Sequence, residues 1–151
     1  MEIIPVVSPS NFHLLGYESR EQVVSNKLWH FSSLVIPIQE GTGKVLIQVR
    51  PKGKTYEGKL DIFGGYVHKS KYTDQLMDKF DHSILEKVFL ETAVRESNEE
   101  IKIEMDKYNK LLNSDDLSLL DPFLGYIADN DVIKEISSAY VLQIWYLLMM
   151  M

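Results

Sequence analysis

The sequence predicts an α/β protein whose mixed sheet carries helices on its faces. Three observations point there. Short runs of strand-type residues recur along the chain, with hairpin-length gaps between some and long intervals between others. One stretch, Ser83 to Glu100, holds neither Gly nor Pro and places apolar residues at helical spacing. The 151 residues are 45% hydrophobic and 25% charged, enough apolar material for one domain around one core. That balance excludes disorder, collagen and coiled coil as the main architecture.

The elements follow in order. Residues 8–27 are polar and mixed, and predict an N-terminal arm with a hairpin or short helix. Residues 32–38 (SSLVIPI) predict a strand, and Gln39 to Lys44, with Gly41 and Gly43, a turn. In residues 45–50, Val45, Ile47 and Val49 alternate with Leu46, Gln48 and Arg50, which predicts a strand with one face in the core. A polar loop then leads to a short strand at Leu60 to Phe63, closed by Gly64-Gly65. Residues 66–82 have many charges and few aliphatics, and predict a loop with one helical turn outside the core, a lid or a partner contact. Ser83 and Glu86 stand at capping-box spacing ahead of the long helix. Its core side is marked by Leu90, Ala93 or Val94, Ser97 and Ile101. A shorter helix is predicted near Asp106 to Leu112, and strands at Phe123 to Ala128 and Ile136 to Trp145, joined through Asp129-Asn130-Asp131.

Composition narrows function. There are no cysteines, which removes disulfides, thiolate metal sites and cysteine nucleophiles. A net charge of −6 argues against non-specific nucleic-acid binding, which needs a basic face. The apolar run Ala139 to Met151 is shorter than the roughly 20 residues of a membrane span. Met1 to Val7 lacks a basic leader, so a cytoplasmic setting is the default expectation. The apolar end Leu147 to Met151 must pack on the body or be covered by a second copy of the chain in a homodimer.

The chemistry concentrates in Glu91-Thr-Ala-Val-Arg95-Glu96-Ser-Asn-Glu99-Glu100. On a helix, Glu96, Glu99 and Glu100 share one face. Like charges at that spacing each cost a few tenths of a kcal/mol on an isolated helix, and the helix C-terminus disfavours anions. A hard divalent cation relieves both penalties, since Mg²⁺ takes carboxylate oxygens and water. A solvated acidic face with an Arg95–Glu91 pair is the bland alternative.

These residues resemble the centre of the Nudix box, G-x5-E-x7-R-E-U-x-E-E-x-G-U with U a bulky aliphatic. Arg95-Glu96-x-x-Glu99-Glu100 matches its core, Gly65 its opening glycine and Ile103 its closing aliphatic. Leu28-Trp29-His30, the stretch Val45 to Arg50, Lys54 and Leu60-Asp-Ile-Phe-Gly64-Gly65-Tyr-Val67 follow the order of a branch related to isopentenyl diphosphate isomerase. The resemblance spans about residues 28–145 and departs from the pattern in places. Gly65 and Arg95 stand about 16 residues further apart than in the pattern, which makes residues 66–82 an insertion. Lys87 falls where the first glutamate belongs, Ser97 where a bulky aliphatic belongs, and Lys102 replaces the last glycine.

The resemblance implies a Nudix-like α/β/α sandwich that hydrolyses a nucleoside diphosphate linked to another moiety. It implies Mg²⁺ (or Mn²⁺) held by Glu96, Glu99 and Glu100, with Arg95, Glu99 and Glu100 as catalytic residues. Arg50, Lys54, Gly64, Gly65 and Glu135 are the expected substrate-binding residues, and Glu135 is the best extra carboxylate from outside the helix. Trp29, Phe63, Tyr66 and Tyr126 are candidates to stack on a base or, on the plainer reading, core aromatics; His30 reads as a hydrogen-bonded strand residue. The alternative is a Nudix-fold nucleotide-binding or regulatory module with weak or no catalysis. Isomerase chemistry is set aside, because that family relies on an active-site cysteine.

Overall fold

The computed structural model describes residues 2–53, 56–77, 81–100, 114–120 and 123–144, the side chains of Glu100 and Ile144 excepted. Nine strands, β1 (Ile3–Val7), β2 (Leu14–Ser19), β3 (His30–Gln39), β4 (Gln48–Val49), β5 (Leu60–Asp61), β6 (Phe63–Tyr66), β7 (Leu117–Leu120), β8 (Tyr126–Asp129) and β9 (Lys134–Ile144), are described with two helices, α1 (Arg20–Ser25) and α2 (His82–Glu100). Seven strands form one mixed sheet in the order β2-β1-β3-β9-β7, with β6 on β3 and β8 on β9. The predicted mixed α/β class holds. Among the described residues one long helix packs on one face; the helix expected near 106–112 lies outside them.

The centre of the sheet is the parallel pair β3–β9, in register from His30↔Glu135 to Gln39↔Ile144. Parallel central strands are covered on both faces, which is why Phe31, Ser32, Ser33 and Val35 are all buried. Residues on one pleat face alternate with those on the other. Phe31 packs on Phe89 of α2, ring centroids 5.0 Å apart, and Ser33 Oγ donates to the Phe89 carbonyl at 2.6 Å. Odd-numbered β3 residues therefore face α2, while His30, Ser32 and Leu34 face away from it.

The predicted helix forms over its expected length with a different cap. Asp81, not Ser83, accepts from the first free amides, those of Ser83 at 3.0 Å and Ile84 at 3.4 Å. Ser83 Oγ itself donates to Asp81, and Glu86 pairs with His82 at 3.4 Å instead of closing a capping box. Aspartate caps as well as serine does, and the one nearer the helix start wins. The buried stripe runs Leu85, Val88-Phe89, Thr92-Ala93 and Glu96-Ser97, so Leu90 and Val94 lie at its half-buried margin. Ser97, where the Nudix pattern has an aliphatic, is fully buried and donates to the Ala93 carbonyl at 2.7 Å.

Two expectations are corrected. Val45, Ile47 and Val49 face solvent, at 47%, 51% and 61% exposure, and Leu46, Gln48 and Arg50 turn inward. The stretch meets the main sheet at its start, where Val45 bridges to Ile38 and Leu46 N–H donates to the Pro37 carbonyl at 3.0 Å; β4 then pairs with β5 in a separate ribbon, and among the described residues no second layer covers its apolar face. The segment after Gly65 also belongs partly to the core: Val67, Thr73 and Leu76 are buried, and Lys69 N–H donates to Ile3 O at 2.8 Å. Residues 78–80 of that segment, and Trp145 to Met151 at the apolar end, lie outside the described residues. The N-terminal arm forms both a hairpin, β1–β2, and a short helix capped by Ser19. No helix among the described residues is long and apolar enough to cross a membrane.

Candidate functional site

The last turns of α2 lie over β6. Gly65 pairs with Ser33 and so faces the helix; a Cβ there would sit far inside van der Waals contact of the Glu96 carboxylate. Glycine at 65 is what lets Glu96 lie flat on the strand, buried to 7% exposure. Arg95 fixes that carboxylate: its Nη2 donates to Glu96 Oε1 at 3.1 Å and to the Tyr66 carbonyl at 2.6 Å. Arg95 Nε is buried without a hydrogen-bond partner. Glu99 is exposed one turn on, and the Glu100 side chain lies outside the described residues, as do Lys102 and Ile103.

The N-terminal arm brings charges to the same place. Arg20 pairs with Glu2 at 2.9 Å, and His68 Nε2 lies 3.6 Å from Glu2 Oε1. Burial pushes the Glu2 carboxyl up, but the Arg20 contact, with Arg95 and His68 near, holds it below the usual carboxylate range. Burial and the Arg95 charge push the His68 imidazole down against the opposing pull of Glu2 and Glu99. Arg20 also lies over the Tyr66 ring, 4.3 Å from its centroid, and within electrostatic range of Glu96.

Among the described residues no three His, Cys, Asp or Glu side chains converge on a metal position. The donor chemistry of Glu96 and Glu99 nevertheless suits Mg²⁺, which is bound by one or two carboxylates and completes its shell with water and phosphate oxygens.

The opposite face of the sheet carries a second constellation, around a cavity of about 250 Å³ lined by Ser32, Gly64, Gly65, Tyr66 and Glu135, with Arg20, Arg50, Tyr56, Asp61 and Asn130. Its polar floor follows from register: His30 lies opposite Glu135, and Ser32 lies between Ser137 and Tyr66. Ser32 Oγ donates to Glu135 Oε1, and Ser137 Oγ lies 3.1 Å from the same oxygen. His30 Nδ1 meets the Leu28 carbonyl at 2.9 Å, an acceptor only, so that nitrogen carries a proton. His30 Nε2 is 3.4 Å from Glu135 Oε2, an electrostatic contact too poorly aligned for a hydrogen bond. Burial pushes the Glu135 carboxyl up, but the contacts with His30, Ser32 and Ser137 outweigh it and hold it below the usual range.

The structure thus brings Arg95, Glu96 and Gly65 together, with Glu99 beside them. It places Arg50, Gly64 and Glu135 at the cavity, and Arg50 Nη1 is 3.9 Å from Asp61 Oδ2. Glu135 is on the sheet face away from Glu96 and does not join the α2 carboxylates. Lys54 lies outside the described residues. Of the aromatics, Tyr66 lines the cavity, Phe63 is core, and Trp29 and Tyr126 are half-buried. Sequence reasoning missed Arg20 and the His30–Glu135 pair. Nothing local signals either: Arg20 belongs to an arm with no motif, and the pair depends on register between strands about a hundred residues apart.

No protein-family model matches the chain, and no curated protein matches it. Among solved structures it is similar to the crystal structure of DR0079 from Deinococcus radiodurans, with a TM-score of 0.60 and 17% identity over 99% of this chain and 76% of that one. At that identity the likeness is one of fold.

Proposed function

We propose that the chain is a divalent-metal-dependent hydrolase of Nudix type, acting on a nucleoside diphosphate linked to another moiety. The observation that carries this reading is Glu96, lodged against Gly65 and tied down by Arg95, with Glu99 one turn on. Burying a carboxylate is costly unless it is paired and hydrogen-bonded, and Arg95 supplies that pairing here. The sequence pattern R-E-x-x-E-E supports the same residues independently, and the fold is compatible.

Glu96 and Glu99, with Glu100 next in the chain, would hold Mg²⁺ or Mn²⁺. Such an ion neutralises diphosphate oxygens and lowers the pKa of a bound water. Arg95 keeps the Glu96 carboxylate aimed by a charge-assisted hydrogen bond. Arg20 and Arg50 offer guanidinium forks to phosphate oxygens. Exposed Glu99 is the carboxylate best placed to take the proton of the attacking water.

A second reading, a nucleotide-binding module with feeble catalysis, is favoured by Lys87, whose ammonium lies 5.7 Å from the Tyr72 ring centroid at the position of the pattern's first glutamate. Phosphate and nucleoside monophosphate release, measured over a panel of nucleoside-diphosphate compounds with Mg²⁺ or Mn²⁺, separates the two. Hydrolysis that Glu99→Gln abolishes, and that Arg95→Gln lowers about 10- to 100-fold, supports the enzyme. Binding without turnover supports the module.

A further inference from the structure

We propose that two copies of the chain pair reciprocally, the basic ribbon β4–β5 of each lying along the acidic outer edge of the other's sheet.

Two stretches of the chain are opposite in charge and alike in apolar content. Residues 44–59, which carry β4 and the turns after it, hold five Lys and Arg against one Glu. In a chain of net charge −6 that is a local reversal of sign. Residues 114–133, which carry β7 and β8, hold five Asp and no Lys or Arg. Lys134 offsets Asp129 at 3.4 Å, and the edge stays acidic through Asp115 and Asp131, both exposed. Each stretch also presents apolar side chains to solvent. Ile47, Val49 and Leu60 do so on the ribbon, and Leu119, Ile127 and Val132 at the edge, with Leu60 72% and Ile127 67% exposed. An exposed apolar patch rimmed by charge is the mark of a protein contact.

The two stretches cannot satisfy each other within one copy. Arg50 and Tyr56 line the cavity on the sheet face away from α2, so the ribbon's exposed face, Ile47 and Val49, points outward from that side. The edge residues lie on the other side. Leu119 pairs with Tyr140 and Ile127 with Ile136, and these pair in turn with Val35 and Phe31, which face α2. Cross-strand partners share a face, so Leu119 and Ile127 are on the α2 side, and Asp129, two residues beyond Ile127, is with them. The sheet therefore stands between the two patches. A partner that meets both at once must be acidic and apolar where the ribbon lands and basic and apolar along the edge, and a second copy of this chain is both. A two-fold axis forms the two contacts together. A stable interface takes roughly 20–30 residues a side, more than either stretch exposes alone and within reach of the two combined. Charge complementarity fixes the register and steers the encounter.

The test is sedimentation velocity of the full chain over a wide range of concentration, in about 0.1 M and about 1 M NaCl, between which the screening length falls from about 10 Å to about 3 Å. At the lower salt a species of twice the 17.5 kDa chain mass is expected, and at the higher salt its dissociation constant should rise at least about tenfold. This comparison needs no variant to fold. Lys52→Glu with Lys59→Glu should leave the chain monomeric, as should Asp129→Lys with Asp131→Lys. An equimolar mixture of the two variants should restore the dimer, because a reversed ribbon then meets a reversed edge and an intact ribbon an intact edge. A wild-type chain that stays monomeric at every concentration overturns the proposal; the charges then serve only to keep an open sheet edge soluble. A dimer indifferent to salt and to both reversals overturns it as well, since its interface lies elsewhere. So does a mixture that stays monomeric while each variant keeps the wild-type circular dichroism. Growth beyond the dimer overturns the two-fold arrangement, because a contact that does not close builds a filament.

Discussion

Gly64 and Gly65 are neighbours, and the pleat gives them different reasons to be glycine. A Cβ on Gly64 would run into the backbone carbonyl of Ser33, which cannot move without bending β3; a Cβ on Gly65 would meet only the far end of the Glu96 side chain. Gly64→Ala should therefore destabilise the fold by about 1–3 kcal/mol, the usual range for forcing extra atoms into a packed place. Gly65→Ala should cost about 1 kcal/mol or less, because a side chain can swing aside. It should nevertheless remove most of any Mg²⁺-induced thermal shift, since Glu96 no longer lies where Arg95 holds it. Urea titrations check the two stabilities, and melting curves with and without Mg²⁺ check the metal response. A full metal response in Gly65→Ala would show that Glu96 is not a ligand. At this scale the sequence displays residues whose partners are close in the chain. Arg95, Glu96 and Glu99 could be read from helical spacing alone, whereas His30, Glu135 and Arg20 gain their meaning only across strands.

Elements obey the same division. α2 was legible because capping and periodicity are local, and even its error, the choice of Ser83 over Asp81, was an error of two residues. The β4 stretch showed its alternation plainly, but which face is covered depends on a neighbour, and its strand partner among the described residues is the two-residue β5. β7 escaped notice because Leu117–Leu120 is four residues long and has its pairing with β9 as its support. The segment after β6 looked uniformly polar, yet three buried residues, Val67, Thr73 and Leu76, suffice to anchor it. Leu76→Ala should cost about 2–5 kcal/mol in urea unfolding, as for other fully buried leucines. A change under 0.5 kcal/mol, the scale of surface substitutions, would return the segment to the surface. The same segment is fastened to β2 through the Tyr17 hydroxyl, which donates to Asp74 and lies 2.9 Å from Thr73 Oγ1. Burial and the Asp74 carboxylate push the Tyr17 phenol up to about 12 from its ordinary value of 10.0. The folded chain holds that proton more tightly than the unfolded one. The contribution is therefore complete below pH 10.0 and is lost as pH rises through about 12. Tyr17→Phe should flatten the fall of the urea midpoint across that interval. An unchanged slope would place the alkaline loss elsewhere, with Tyr140 the next group to examine, since burial raises its phenol to about 12 as well.

For the molecule as a whole, the sheet divides two tasks. The face toward α2 carries Arg95, Glu96 and Glu99; the other carries His30, Ser32 and Glu135; Arg20 stands where both can feel it. The fold class could be read from the sequence, but this division could not, because it is set by the register of β3 with β9 and β6. It has a measurable consequence. An ion that binds only the folded state stabilises it by RT ln(1+[L]/Kd), about 2.7 kcal/mol at a hundredfold excess over Kd. Mg²⁺ should therefore raise the melting temperature of the wild-type chain. Glu99→Gln should lose most of that shift, while its metal-free form gains a few tenths of a kcal/mol from relieved repulsion along the helix. Glu135→Gln should keep the metal shift. Arg20→Gln should weaken nucleotide binding and also reduce the metal shift, because Arg20 lies over Tyr66 at the cavity and within electrostatic range of Glu96. Melting curves for the three variants, each with Mg²⁺, with CDP and with both, distinguish this arrangement from its rival. If Glu135→Gln abolishes the metal shift as completely as Glu99→Gln does, the two faces form a single site.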